Sequence, residues 1–479
     1  MNEDQSPSNT YTIPVVVQAS TAASSASQNP ESVPPIVPPP PKKTFPKIAI
    51  FAATAVLILV LAFAVFKILT STSGSGVSSG TITWWGLWEE ATTVQPLIDT
   101  YQSQHPGVKI NYIKESPQDY RERLTSSLAK NAGPDIFSFH NSWVPMFRGS
   151  LDSLPPGVMN PADFAKTFYP VTSSDLTSGS SIVGIPLEYD ALTLFINQDI
   201  FDKASKAPPT SWDDFRALAK QFTVKDDKGV ITQAGAAMGR TENVDHWPEI
   251  LALLMLQNGV DMVNPTGISA EGALTFFTLF STTDGVWDAT LPSSTQVFAA
   301  GKLAMYIGPS WRAFEIQSRS PKLKFKTVPI PQLPKDNPKQ LDITYATYWA
   351  QGVWSGSSHK AIAWDFLKFL STQDSLTKLY QNESKVRSFG EPYPRIDMAN
   401  LLTGHPIVGS IISQAPGATS WYLDSRTYDG PTGINSQMIN YFGDAVNAVA
   451  NGKSTPDKAL ATVAQGVAQV LAQYKLVAR

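Results

Sequence analysis

Apolar and polar positions divide the chain into three stretches of different character. Residues 1–46 show no apolar periodicity; they are rich in Pro, Ser, Thr and Ala and contain the run PPIVPPPPKK at 34–43. A segment with so little apolar surface cannot offset the entropy of ordering itself, which predicts a disordered, Pro/Ser-rich tail. Residues 48–66 then read IAIFAATAVLILVLAFAVF, apolar all round with Thr54 as the one polar side chain. At ~1.5 Å per residue this run makes a helix roughly 28 Å long, close to the thickness of a bilayer's hydrocarbon core. Positions 47–69 are therefore expected to form a transmembrane signal-anchor helix in contact with lipid, and 70–80 a Gly/Ser linker. Lys42, Lys43 and Lys47 precede the run, whereas after Lys67 the next basic residue is Lys109. That asymmetry predicts a single-pass protein of the cell membrane, its N-terminus cytoplasmic and the rest extracellular or periplasmic.

From residue 81 the pattern alternates between strand and helix periodicity. TITWW (81–85) reads as a strand, and Val94, Leu97, Ile98 and Tyr101 then share one helical face. HPG at 105–107 stops that helix, and VKINYI (108–113), a helix opened by Ser116-Pro117, and DIFSF (135–139) follow. The alternation returns in TLFIN (193–197) before SWDDFRALAKQF (211–222), and in KLAMYIG (302–308) before a helix near Trp311. It returns again in ATYWAQGVW (346–354) before HKAIAWDFLKFL (359–370). From about Gln437 two helices joined by NGKSTPD (451–457) close the chain. Strand–helix–strand order requires crossovers and hence a mostly parallel sheet. The roughly 400 residues after the linker fit two such lobes better than one.

Composition narrows the chemistry. The net charge is −3, with 37 Lys and Arg against 40 Asp and Glu well mixed, so there is no basic footprint for nucleic acid. Cysteine is absent, which removes disulfides, thiolate metal sites and cysteine nucleophiles. The histidines at 105, 140, 246, 359 and 405 never stand at His-x-x-x-His spacing, and no Gly-rich loop ends in Lys-Ser/Thr. No metal and no cofactor is expected. Twelve tryptophans, by contrast, require an explanation in packing or in a ligand.

Six segments then occur in a telling order: ITWWGLW, HPGVKINYI, AGPDIFSFHNSWVPMFRGSLDSL, GIPLEYDALTLFINQDIFDKA with PPTSWDDFRALA behind it, FAAGKLAMYIGPSWRAFEI and AIAWDFLKFLSTQDS. Together they resemble the extracellular solute-binding proteins of ABC importers, in the maltose-binding-protein-like branch that binds sugars and oligosaccharides. The resemblance runs from Thr81 to the end of the chain, although 400–435 match no segment of it. It implies a two-lobed α/β fold of the periplasmic-binding-protein (Venus flytrap) type, each lobe a mostly parallel sheet with helices on both faces. Lobe 1 would comprise 81–189 with 346–390, and lobe 2 190–345 with 391–479, joined by crossings near 186–190, 340–346 and 388–394. It further implies a monomeric binding subunit without catalysis, closing about its hinge on a carbohydrate and delivering it to permease subunits in the membrane. An extracellular carbohydrate-active enzyme and a ligand-sensing surface receptor are the alternatives.

Sugars are held by aromatic rings against C–H faces and by polar groups that pair with hydroxyls. Alternation in the opening strand puts Trp84 and Trp85 on opposite covered faces, as core, and leaves Trp88 and Glu89, past Gly86, for the cleft. Asn141 and Trp143 follow the third strand, beside His140, which reads as a satisfied polar residue. Glu188, Tyr189 and Asp190 fall at the first crossing; the resemblance implies that Asp190 turns a carboxylate toward the sugar. Trp311, at a helix start after Gly308-Pro309, is by the same resemblance the stacking platform of the second lobe, with Trp247 beside Pro248 as a further one. Tyr345, Tyr348 and Trp349 straddle the second crossing, and Arg426 and Tyr428 lie in the polar, aromatic loop WYLDSRTYDG (421–430). Trp212, Trp354 and Trp364 read as core.

Overall fold

The computed structural model describes residues 79–476, apart from 336 and 338, so the expected tail and transmembrane run lie outside the described residues. Among the described residues no helix is long and apolar enough to cross a membrane. The strands are β1 (Gly80–Gly86), β2 (Val108–Lys114), β3 (Ile136–His140), β4 (Thr177–Ser178), β5 (Ser181–Ile182), β6 (Ile185–Pro186) and β7 (Leu192–Asn197). They continue with β8 (Val224–Lys225), β9 (Ile231–Ala236), β10 (Leu303–Pro309), β11 (Phe325–Val328), β12 (Thr344–Tyr345), β13 (Trp349–Val353) and β14 (Ala418–Thr419). Two five-stranded sheets, ordered β2-β1-β3-β13-β6 and β11-β7-β10-β9-β8, define two α/β lobes.

The first three strands behave as the alternating pattern predicts. β1 pairs in parallel with β2 and with β3. Helix Ala91–Gln104 crosses between β1 and β2, burying Val94, Leu97, Ile98 and Tyr101. The remaining pairings correct the expectation of mostly parallel sheets. β13 runs antiparallel to β3 and to β6, and in the second sheet only β10 with β9 is parallel. The cause is the route of the chain. β7 and β13 arrive from inter-lobe crossings rather than from helical crossovers, so each begins where another strand ends. Leu192 pairs with Pro309, and Trp349 with His140. A strand starting at the cleft must run against the strand that finishes there.

Helices anchor this frame through apolar faces and satisfied indole N–H groups. Ser211 caps helix Trp212–Phe222 by accepting from the Asp214 N–H (3.1 Å) and donating to Asp214 Oδ2 (2.9 Å), and the helix buries Trp212, Phe215, Ala219 and Phe222. Helix Lys360–Leu370 packs on β1, with the Trp364 N–H given to Asp152 Oδ2 at 2.9 Å. Trp84 is buried and donates to Gln351 Oε1 at 2.9 Å. Trp85 and Trp354, expected in the core, are only half-buried; Trp85 lies beside Glu122 and Arg123 at the lobe's rim, where the covering helix carries charge.

Between the lobes Ala191 bridges Ala346, and β12 pairs with β14. The third passage is longer than expected. Arg395 still bridges Phe168 of the first lobe, and only at Pro406, whose carbonyl accepts from the Thr327 N–H (3.1 Å), does the chain join the second sheet. Helices Ile434–Ala450 and Pro456–Gln473 then pack on each other and on helix Ile268–Thr282.

Candidate binding site

A cavity of about 430 Å³ opens where the strand ends, the crossings and the 425–428 loop converge. Its size suits a small molecule. Gly86 ends β1, and the chain turns so that Trp88 reaches the wall. Its ring meets Trp349 edge-on with centroids 5.4 Å apart, and Tyr428 at 6.1 Å. Trp349, the first residue of β13, also packs edge-on against His140 and Trp143, each at 5.3 Å. Trp311 approaches from the end of β10, and the Arg312 guanidinium lies over its ring at 4.5 Å. Three chain segments distant in sequence therefore present half-buried aromatic rings to one space.

Asp190 is 4 % exposed and uses both oxygens to hold the second lobe. Oδ1 accepts from the Ala191 N–H (2.7 Å) and the Ser310 N–H (3.1 Å), and Oδ2 from the Ser310 hydroxyl (2.9 Å) and the Trp311 N–H (3.3 Å). Burial, and then the nearby Glu391, push its carboxyl up to about 7 against the pull of those bonds. Asp190 lines the cavity, but its acceptors are taken by backbone, so it positions Trp311 instead of turning a free carboxylate inward.

Below Trp311 lies a buried charged network. Arg312 Nε donates to His246 Nε2 at 2.8 Å, which places the imidazole proton on Nδ1. Nδ1 faces Glu249 Oε1 and Ser425 Oγ, both at 3.3 Å, and the Ser425 hydroxyl donates to Glu249 Oε1 at 2.6 Å. With Nε2 occupied and Nδ1 protonated, His246 has no lone pair with which to accept the serine proton, so the trio is not a nucleophile–base pair. Burial raises the Glu249 carboxyl, but the adjacent His246 and the bonds from His246 and Ser425 outweigh it and hold the group below its ordinary value. His140, pushed down to about 3 by burial, is neutral and bonded at both nitrogens, to Ser142 Oγ (2.7 Å) and Thr347 Oγ1 (3.1 Å).

At the crossing end, Glu89, Glu188 and Glu391 bring one carboxylate oxygen each within 4.8 Å of one another. Arg387 stands beside them, pairing with Glu391 Oε1 at 2.8 Å and Glu383 Oε2 at 3.0 Å. No histidine joins this group, and the carboxylates are the residues that could hold a cation.

Of the residues that the sequence offers as ligand-binding candidates, Trp88, Glu188, Asp190, Trp311, Tyr348, Trp349, Arg426 and Tyr428 line the cavity wall, and Glu89 lies just behind it. Four candidates lie off the wall. Asn141 braces the second crossing, donating to Asp175 Oδ2 (2.9 Å) and accepting from the Tyr348 N–H (3.2 Å). Trp143 is fully buried between Tyr120 and Phe147, and Tyr189 between Tyr169 and Tyr348. Trp247 sits against Gly443 in the second lobe, because helix Trp247–Gln257 is apolar on nearly every side. Sequence reasoning missed His246, Glu249, Arg312, Glu315, Arg387 and Glu391. Their signal was present as charged pairs at helical spacing: His246 with Glu249, Arg312 with Glu315, and Glu383-Arg387-Glu391 in steps of four.

Comparison with known proteins agrees with this architecture. A protein of Brucella abortus (strain 2308) named only as a binding protein is 23% identical over 300 residues, covering 59% of this chain and 69% of that one. The maltotriose-binding protein of Pyrococcus abyssi is 20% identical over 304 residues, 60% of this chain and 61% of its own. Among solved structures, a cyclo/maltodextrin-binding protein complexed with maltotetraose superposes with a TM-score of 0.66 at 15% identity, over 83% of this chain and 99% of that one. A sugar-binding protein of Xanthomonas citri gives 0.66 at 18%, over 83% and 98%. The family described as bacterial extracellular solute-binding protein matches residues 85–375. The two-lobed fold, the inter-lobe cavity and this match over more than half the chain lead to one statement of kinship: the chain belongs to the bacterial extracellular solute-binding protein family.

Proposed function

We propose that this chain is the extracellular binding subunit of an ABC importer and that its inter-lobe cavity takes a saccharide longer than one ring. The observation that carries the reading is the meeting of Trp88, Trp349, Tyr428 and Trp311 around one cavity that also presents carboxylates and guanidinium groups. Flat aromatic faces suit the C–H faces of successive sugar rings, and planar polar groups suit their hydroxyls. The names of the relatives, one for maltotriose and one solved with maltotetraose, support the same class. The aromatic and polar candidates on the wall would hold the ligand, while Asp190 and Asn141 would set the crossings about which the lobes close. The apolar run 48–66 would tether the domain outside the membrane, within reach of permease subunits, and the domain would act as a monomer. No chemical step follows from this arrangement: the ligand is bound and released intact.

The test is a thermal-shift screen of the full-length protein against mono- and oligosaccharides. Ligand at ~100 times its Kd stabilises the folded state by about 2.7 kcal/mol, a clear rise in melting temperature. Stabilisation by an oligosaccharide supports the reading; shifts with peptides but with no saccharide would remove the ligand class assigned here.

A further inference from the structure

One part of the cavity wall is a strained turn. Arg426 and Tyr428 both hold left-handed backbone, at φ +57° and +54°, although neither is a glycine. Such a conformation costs free energy for a residue with a Cβ and persists only where the surroundings impose it. The ends of the turn are pinned to one residue: the Asp424 N–H donates to Asn435 Oδ1 (3.2 Å), and Asp429 Oδ2 accepts from the Asn435 N–H (2.8 Å). Between those ends the turn is gripped by the buried network below Trp311. Glu249 Oε1 accepts from both the Ser425 N–H (2.9 Å) and the Ser425 hydroxyl (2.6 Å), and Arg426 Nη2 stands 3.7 Å from Asp245 Oδ1.

The same network grips Trp311. The Arg312 guanidinium covers its ring at 4.5 Å, and His246 meets the ring edge-on with centroids 5.7 Å apart. Arg312 is itself held on every side: Nε donates to His246 Nε2 (2.8 Å), Nη1 donates to Glu315 Oε2 (2.6 Å), and Nη2 stands 3.8 Å from the Asp245 oxygen that Arg426 approaches. His246 in turn faces Glu249 and Ser425 through Nδ1. His246, Glu249 and Arg312 are at most 3 % exposed, so these bonds act where water does not compete for them. Two wall segments distant in sequence, Trp311 and the 425–428 turn, therefore share one buried support. Resting on the saccharide reading above, we infer that His246, Glu249 and Arg312 are positioning residues. They lock the Trp311 ring and the strained turn that carries Tyr428 into one preformed unit, so that a sugar meets both without first ordering either.

Amide hydrogen exchange of the full-length protein without ligand reads this shared support directly. Glu249→Ala is expected to speed exchange about tenfold or more over 424–429, and also over 310–315, a segment Glu249 does not bond, while β1 and β2 of the first lobe keep their protection. Arg312→Gln should act from the other end and loosen 424–429 as well. Glu249→Gln, which keeps an acceptor for Ser425, should restore most of the protection. If Glu249→Ala folds poorly, Ser425→Ala, a change at the half-buried end of the network, should give the same two-segment pattern more weakly. Loosening confined to the segment next to each substitution, or spread evenly over both lobes, would overturn the shared support. Calorimetry separates this from the saccharide reading. A saccharide that binds should lose roughly tenfold in affinity in Glu249→Ala, and clearly less once Trp311→Ala and Tyr428→Ala have removed the rings that the network positions. Equal losses in both backgrounds would overturn the positioning role and leave the saccharide reading intact. Loosening of both segments together, while no saccharide binds, would support the shared support and remove the saccharide.

Discussion

Removing the Asp190 carboxylate should loosen the second lobe's aromatic platform. In the native structure that carboxylate accepts from three backbone N–H groups and the Ser310 hydroxyl, all between 2.7 and 3.3 Å. Truncation to Asp190→Ala strands the N–H groups of Ala191, Ser310 and Trp311. A bond to a charged group is worth about 1.5–3 kcal/mol, and an unsatisfied buried donor costs about 1–3 kcal/mol. Ser310 can turn its hydroxyl elsewhere and water can enter the gap, so we expect a loss of ~3–5 kcal/mol of stability in urea denaturation. Asp190→Asn keeps one carbonyl oxygen and should cost less, ~1–2 kcal/mol. Because the clamp fixes the first turn of helix Arg312–Arg319, ligand affinity measured by calorimetry should fall about tenfold or more in Asp190→Ala, ~1.4 kcal/mol. An alanine variant that matches the native protein in both urea midpoint and affinity would refute the positioning role.

Other expectations follow from the same geometry. Trp311→Ala, at a half-exposed ring, should leave the melting temperature within a few degrees while weakening saccharide binding roughly tenfold, since stacking is worth about 0.5–1.5 kcal/mol beyond the area it buries. Stability should also depend on pH with a definite sign. Asp190 and Glu89 titrate near 7 and Glu383 near 8, all raised by burial, so the folded state binds more protons than the unfolded one. Their contribution is present at low pH and lost as pH rises through those values; between about pH 6.5, above the buried histidines, and about pH 8 the melting temperature should fall. A flat or rising profile there would contradict the burial of these acids. Gly430→Ala should weaken closure, because Gly430 has φ +67° and an added Cβ would run into the Glu122 carboxylate across the lobes. Its cost is ~1 kcal/mol from backbone conformation alone, seen as faster ligand release, and unchanged release would argue against a part for the Gly430–Glu122 contact in closure.

Much of the frame was legible because it rests on local rules. The crossover β1–β2–β3 follows from apolar periodicity and from the breaks at 105–107 and 133–134. Trp88 was placed by Gly86, which ends its strand, and Trp311 by the resemblance, at a helix start after Gly308-Pro309. What escaped depended on which segments meet. Sequence left Glu89 for the cleft beside Trp88, but its neighbours Glu188, some 100 residues on, and Glu391, some 300 residues on, are brought to it only by the crossings. The direction of β13 was hidden for the same reason, since strand patterning carries no sign of where the chain came from. Trp247 differs in kind. WPEILALLMLQ is apolar on nearly every side, Glu249 apart, the mark of a buried helix, and that argues for a core tryptophan even before its contact with Gly443 is known.

The proposed function requires a saccharide in the space between Trp88, Trp349 and Trp311. The most direct measurement is an equilibrium titration of the full-length protein with oligosaccharides, followed by intrinsic tryptophan fluorescence and by recovery of the added sugar. A saturable spectral change that is diminished in Trp311→Ala is expected, with the sugar recovered unaltered. No change with any saccharide, or recovery of cleaved sugar, would contradict it.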